Sequence, residues 1–276
     1  MGFKIVSDSS SDVLSLDRVS FESVPLKIMT DNKEYVDNSE LDVYAMLSDL
    51  ASYKGRSRSS CPGTGEYIAA FGDAEYIFCV TITGGLSGSF NSASVAAKQY
   101  TEEHPERRVH VIDSLSTGPE NALLIAKLEE LIEAGGSFDS IVEKITEYHK
   151  HTRLIFALES LHNLANNGRV SPIVAKISGV LAIRVVGRAS DEGTLEIIEK
   201  SRGTKNMLSD ILKNMAADGF TGGKVKIHHA NNEEAALMLK KQISEKYLDA
   251  QVDIAVARGL CSFYAERGGL LVGFEV

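Results

Sequence analysis

The stretch TITGGLSGSFNSASVAAKQY runs from Thr81 to Tyr100. An apolar run, Tyr76 to Ile82, leads into it, and a helical pattern leaves it from about Phe90. Between them stand Gly84 and Gly85, then Leu86-Ser87-Gly88-Ser89. Three readings fit a buried strand that exits through glycines and hydroxyls straight into a helix. Ser87 or Ser89 caps the helix, and glycine permits the tight turn. Alternatively, the helix start offers unpaired N–H groups and a partial positive charge to an anion. The third reading is a serine nucleophile. The elbow pattern G-x-S-x-G fails here, because Ser89 stands where its last glycine belongs.

Working outward, short apolar runs alternate with helical patterns. FKIVSD, SVPLKIM, EYIFCVTI, RVHVIDS and RLIFAL read as strands. ELDVYAMLSDLAS, GEYIAAFG, the segment after Ser87, GPENALLIAKLEELIEAG and FDSIVEKITEYHKH read as helices. The alternation predicts crossover units and a parallel sheet. After about Leu158 the pattern changes. AIRVVGRAS and TLEIIEKSR read as a strand pair turning at Asp191-Glu192-Gly193. Helix, strand, helix, strand, a short helix and the strand GLLVGFEV follow. The expectation is an α/β protein of two domains. Residues 1–158 form a parallel-sheet, Rossmann-like domain, and residues 159–276 form an α/β domain with a mixed sheet. No low-complexity linker marks the division, so the two parts are expected to pack closely.

Composition narrows the function. The 276 residues are 43% hydrophobic and 24% charged, as in an ordinary globular protein. The net charge of −9 argues against nucleic acid, which needs a basic face. It argues equally against static adhesion to anionic membrane, leaving only transient membrane contact. Cys61, Cys79 and Cys261 are odd in number and scattered, with no C-x-x-C, so neither a disulfide framework nor a zinc site is expected. His228 and His229 are neighbours on a strand and face opposite ways, a poor metal pair. The start MGFKIVSDSS lacks a signal peptide's apolar run, and the chain reads as cytoplasmic.

Hydroxyls gather where the first strands end. FKIV is followed by Ser7-Asp8-Ser9-Ser10-Ser11-Asp12, EYIFCVTI by Ser87, and RVHVI by Asp113-Ser114. Ligands of open parallel sheets bind outside those carboxyl ends. Ser57-Arg58-Ser59-Ser60 adds a fourth cluster before Cys61-Pro62-Gly63. Each cluster also fits a plain turn or cap. Arg169, after Asn166-Asn167-Gly168, fits either an exposed helix end or a site. The apolar run SPIVAKISGVLAIRVV, Ser171 to Val186, reads as one wall of an apolar tunnel or as ordinary core.

Taken in order, these blocks resemble the DegV family of bacterial fatty-acid-binding proteins. KIVSDSSSDV is similar to that family's N-terminal signature, and SSCPG to its Thr-Ser-Gln-Pro-Ser block. LSGSFNSA is similar to Leu-Ser-Gly-Thr-Tyr-Gln-Ser-Ala, and LHNLANNGRV to Leu-x-x-Leu-x-x-Gly-Gly-Arg-Ile. The family's C-terminal His-x-Gly-Pro-Gly block is represented by Ala265-Glu266-Arg267-Gly268-Gly269, without histidine. The resemblance implies one long-chain fatty acid held between two domains, with its carboxylate on Ser59, Ser60 and Ser87. It also implies a non-catalytic role as the lipid-presenting subunit of an ATP-dependent fatty acid kinase, with no cofactor and no metal. Asp8, Asp113, Ser114 and Arg169 stand as supporting or partner contacts. Two other readings remain open on the residues: a serine hydrolase acting on acyl esters through Ser87, and a binding protein for a small anionic metabolite.

Overall fold

The structure is a computed structural model that describes residues 2–171 and 183–276. Strand β1 (Phe3–Asp8) lies beside β2 (Ser20–Val24) on one side and β6 (Tyr76–Thr81) on the other, and β6 lies beside β7 (Arg108–Asp113). All three ladders are parallel. Alternation along each strand sends residues to opposite faces. Val6, Ile77 and Cys79 pack on helices α2 (Thr64–Phe71) and α3 (Ser89–Glu103) through Tyr67, Phe71 and Ala96. Ile5, Phe78 and Val80 pack on α4 (Pro119–Glu133) and α5 (Phe138–His149) through Leu124, Leu128 and Ile141. Both faces are covered, which explains why these strands read as nearly continuous apolar runs.

SVPLKIM, expected as one strand, is divided. Pro25 has no N–H for a ladder, so β2 ends at Val24 and the chain restarts as β3 (Lys27–Met29). Strand β3 is the centre of a small antiparallel sheet with β4 (Glu34–Val36) and β5 (Arg58–Ser60), covered by α1 (Val43–Ser52).

The second sheet has six strands in the order β10-β9-β8-β13-β11-β12. These are β8 (Thr152–Leu158), β9 (Ile183–Ala189), β10 (Leu195–Arg202), β11 (Lys224–His229), β12 (Gln251–Val256) and β13 (Leu270–Glu275). Only the β11–β12 pair is parallel, so the sheet is mixed. RLIFAL, read with the first group of strands, belongs to this sheet as β8, antiparallel to β13 and β9. Both of its partners come later in the chain, and local periodicity carries no information about partners. The chain therefore changes sheets before β8, a few residues ahead of the expected division at residue 158.

One face of this sheet packs on α7 (Gly203–Ala217) and α8 (Glu233–Lys246), using Ile155 and Ala157 of β8. The other face, with Leu154, Phe156 and Leu158, turns toward the first sheet. Helix α6 (His162–Asn166) and helix α9 (Gly259–Ala265) sit on that side. At Gly273, β13 crosses the start of α4 so closely that a Cβ would lie 2.6 Å from the Glu120 backbone nitrogen. Asp12 bridges the two parts. Its carboxylate receives the Arg258 N–H at 2.7 Å and lies 2.7 Å from His228 Nδ1. The two parts thus pack directly, without a spacer. Among the described residues, no helix is long and apolar enough to cross a membrane.

Candidate functional site

In the first sheet, the order β2-β1-β6-β7 reverses direction between β1 and β6. The crevice outside the carboxyl ends of such a pair is where open α/β sheets place ligands. A narrow, mainly apolar cavity lies there, between the first sheet and the second. Ile82, Leu86, Ser87 and Thr117 come to it from strand ends of the first sheet, and Leu154, Phe156 and Leu158 from β8. Helix α9 adds Leu260, Cys261 and Tyr264. Burial pushes the Cys261 thiol far up, so it is a neutral part of the wall.

Three polar side chains on this cavity, Ser59, Tyr264 and Arg169, are linked, and Ser87 also lines it. Ser59 Oγ lies 2.7 Å from the Tyr264 hydroxyl. The Arg169 guanidinium stands 5.9 Å from the Tyr264 ring centroid, a cation–π distance. Arg169 Nε donates to the Leu86 carbonyl at 3.1 Å, and Ser87 is the next residue. Burial pushes the Tyr264 phenol up, while the Ser59 hydrogen bond and the Arg169 charge act in the opposite direction. The phenol is neutral at physiological pH and can donate or accept.

Local chemistry explains how Ser87 is presented. The Thr83 carbonyl accepts from both Leu86 N and Ser87 N, forming a tight turn. Helix α3 then starts from Gly88, which has no side chain to cap it. Ser87 Oγ accepts from Ser89 N at 3.3 Å, so its own proton remains available as a donor. Thr83 Oγ1 fastens the loop to the second sheet by donating to the Gly193 carbonyl at 2.8 Å. Gly193 has φ +71, and a side chain there would collide with Thr83.

The other expected site residues separate into two groups. Ser60 does not line the cavity. It neighbours Ser59 on β5, and alternation turns its side chain to the opposite face, so the structure does not group it with Ser59 and Ser87. Asp8 is fully buried and organises the backbone instead. It accepts from Ser10 Oγ and Ser89 Oγ at 2.5 Å each, from Ile82 N at 3.0 Å and from Ser10 N at 3.2 Å. Burial pushes its carboxyl above the usual range, against the pull of these bonds. Asp113 accepts from Gly84 N and Leu115 N, and Ser114 Oγ donates to the Ser116 carbonyl. Both shape loops behind the site.

Arg169, which the sequence leaves between an exposed helix end and a site, stands on the cavity wall. Gly168, at φ +74, turns the chain there, and Arg169 N is bound to the Leu164 carbonyl at 2.8 Å. Of the run Ser171 to Val186, residues 172–182 lie outside the described residues. Tyr264 was not legible as a site residue, because no local pattern in CSFYAERGG sets it apart from a core aromatic. Among the described residues, no group of three or more His, Cys, Asp or Glu is arranged to hold a metal.

A family model described as "Uncharacterised protein, DegV family" matches residues 2–275. A DegV domain-containing protein of Streptococcus gordonii is 45% identical over the full length of both chains. Among solved structures, a DegV family protein from Eubacterium eligens, loaded with heptadecanoic acid, is 45% identical with a TM-score of 0.98 over both whole chains. The Fatty Acid Kinase (Fak) B3 protein of Streptococcus pneumoniae, loaded with linoleic acid, is 42% identical, also with a TM-score of 0.98 over both whole chains. The chain belongs to the DegV family.

Proposed function

We propose that this protein binds one long-chain fatty acid in the cavity between its two sheets, without transforming it. The carboxylate faces Ser59, Ser87, Arg169 and Tyr264, and the tail lies against Leu154, Phe156 and their neighbours. The observation that carries the reading is a mainly apolar cavity whose wall holds the linked side chains of Ser59, Tyr264 and Arg169, with Ser87 also on it. Two structural relatives of this fold hold long-chain acids. The energetics agree. Roughly 14 buried methylenes gain on the order of 11 kcal/mol before the costs of association. Hydrogen bonds to the charged end add about 1.5–3 kcal/mol each. The tail therefore sets affinity and the polar cluster sets direction.

The likeness to Fak B3 supports the further proposal that the bound acid is presented to a separate ATP-dependent kinase. The hydrolase reading is weaker. A serine nucleophile needs an activating base. The described residues lining the cavity include no His, Asp or Glu beside Ser87.

Native mass spectrometry of gently purified protein tests the lipid. A retained long-chain acid is expected, and a small anion in its place would favour the metabolite reading. Competition between an acid and its methyl ester tests the polar cluster, because donors should prefer a carboxylate. Equal binding would remove the assignment of the charged end. Lipid-dependent ATP consumption with a kinase from the same organism tests the coupling.

A further inference from the structure

Helix α9 ends at Ala265, and the next residue, Glu266, has φ +53 and ψ 176. That conformation borders a region otherwise kept for glycine, and such strain persists only where the surroundings hold it. The surroundings here are specific. Glu266 Oε1 accepts from Ser160 Oγ at 2.8 Å and from Asn163 N at 3.1 Å. Asn163 N belongs to the first turn of α6, a helix with no side-chain cap of its own from Leu161. Asn163 Nδ2 returns a bond to the Phe263 carbonyl at 2.8 Å. The end of α9 and the start of α6 are thus clamped by the Glu266 carboxylate on one side and by the Asn163 amide on the other.

Each of these helices carries one half of the polar cluster. Helix α9 carries Tyr264, which bonds Ser59. Helix α6 leads directly to Arg169, whose N–H is tied to Leu164 inside it. The clamp joins the two elements that present the guanidinium and the phenol ring, which stand 5.9 Å apart. We infer that Glu266 is a positioning residue for the carboxylate end, holding Arg169 over Tyr264 by fastening α6 to α9. This inference rests on the carboxylate-end reading above.

The experiment measures dissociation constants for hexadecanoic acid and its methyl ester, together with melting temperature, for four proteins: wild type, Glu266→Gln, Glu266→Ala and Glu266→Gly. The glutamine keeps an acceptor oxygen and should retain the wild-type preference for acid over ester. Alanine and glycine both remove the carboxylate's part of the clamp, leaving the Asn163–Phe263 bond, and should lower that preference about fivefold, an effect on the order of one weakened charged hydrogen bond. Glycine should melt above alanine, because it relieves the backbone while losing the same contacts. A merely structural role predicts the reverse coupling, with the acid preference following melting temperature from variant to variant. That result, or an unchanged preference in Glu266→Ala, overturns the inference while leaving the carboxylate end in place. A wild type that does not distinguish acid from ester overturns both.

Discussion

The loop after β1 and the loop after β6 leave the same edge of the same sheet, and both are rich in serine. Ser89, at the start of α3, is buried on Asp8 with the serines after β1, but Ser87 has a different fate. Ser9, Ser10 and Ser11 are buried at 3% exposure or less, and Asp8 consumes much of their hydrogen bonding. Ser87 is half-buried and turned to the cavity, with a donor to spare. The difference lies in what covers each loop. Helices α4 and α9 close over the first, while the second faces an apolar cavity walled by β8 and α9. A hydroxyl cluster is therefore structural or ligand-facing according to its ceiling, not its composition.

The largest test of this contrast is Asp8→Ala. It strands the buried donors of Ser10, Ser89 and Ile82, and should cost about 4 kcal/mol of stability in chemical denaturation. Lipid affinity of the fraction that remains folded should change little. A loss of affinity without loss of stability would erase the distinction between the two loops.

Asp37 supplies a second buried carboxylate for comparison. It is 1% exposed and accepts the N–H groups of Gly259 and Leu260 at 2.7 and 2.8 Å, anchoring the helix that walls the cavity. Burial raises its pKa from 3.8 to about 6, with those two backbone bonds acting the other way. The folded state therefore holds this proton more tightly than the unfolded chain. The resulting stability is full below about pH 4 and is lost as the pH rises through 6, a change of about 3 kcal/mol. Asp37→Asn should flatten that part of the stability profile relative to wild type, as read by urea melts between pH 4 and 7. An identical slope in both proteins would show that Asp37 titrates normally.

Ser87→Ala addresses the cavity side. Loss of one charged hydrogen bond should weaken fatty-acid binding by about 1.5–3 kcal/mol, with melting nearly unchanged. Calorimetry showing full affinity would remove Ser87 from the carboxylate end. The smallest effect is expected from Ser60→Ala, whose side chain points away from the cavity. Affinity should stay within about twofold, since a substitution that does not touch the cavity changes binding little. A drop equal to that of Ser59→Ala would mean that β5 presents both residues to the lipid.

Much was legible in the sequence because it is local. Alternating apolar residues in EYIFCVTI and the glycine-hydroxyl exit before α3 are properties of neighbouring residues, and they specify a strand, a turn and a helix. The resemblance to the family's motif blocks suggested Ser59, Ser60 and Ser87 for the carboxylate end, and the structure puts Ser59 and Ser87 on one cavity wall. The rest depends on contacts between residues far apart in the chain. Backbone periodicity does not name a partner, so β8 could not be assigned to β13 and β9. A two-residue hydroxyl pair does not reveal which member faces inward until β5 is paired with β3. Tyr264 meets Ser59 across 205 residues, and Arg169 comes to the same ring from a different part of the chain. Sequence by itself determined the elements and the chemistry available at their ends. Tertiary packing alone decided which of those ends face a cavity, because burial and apposition are properties of the assembled surfaces.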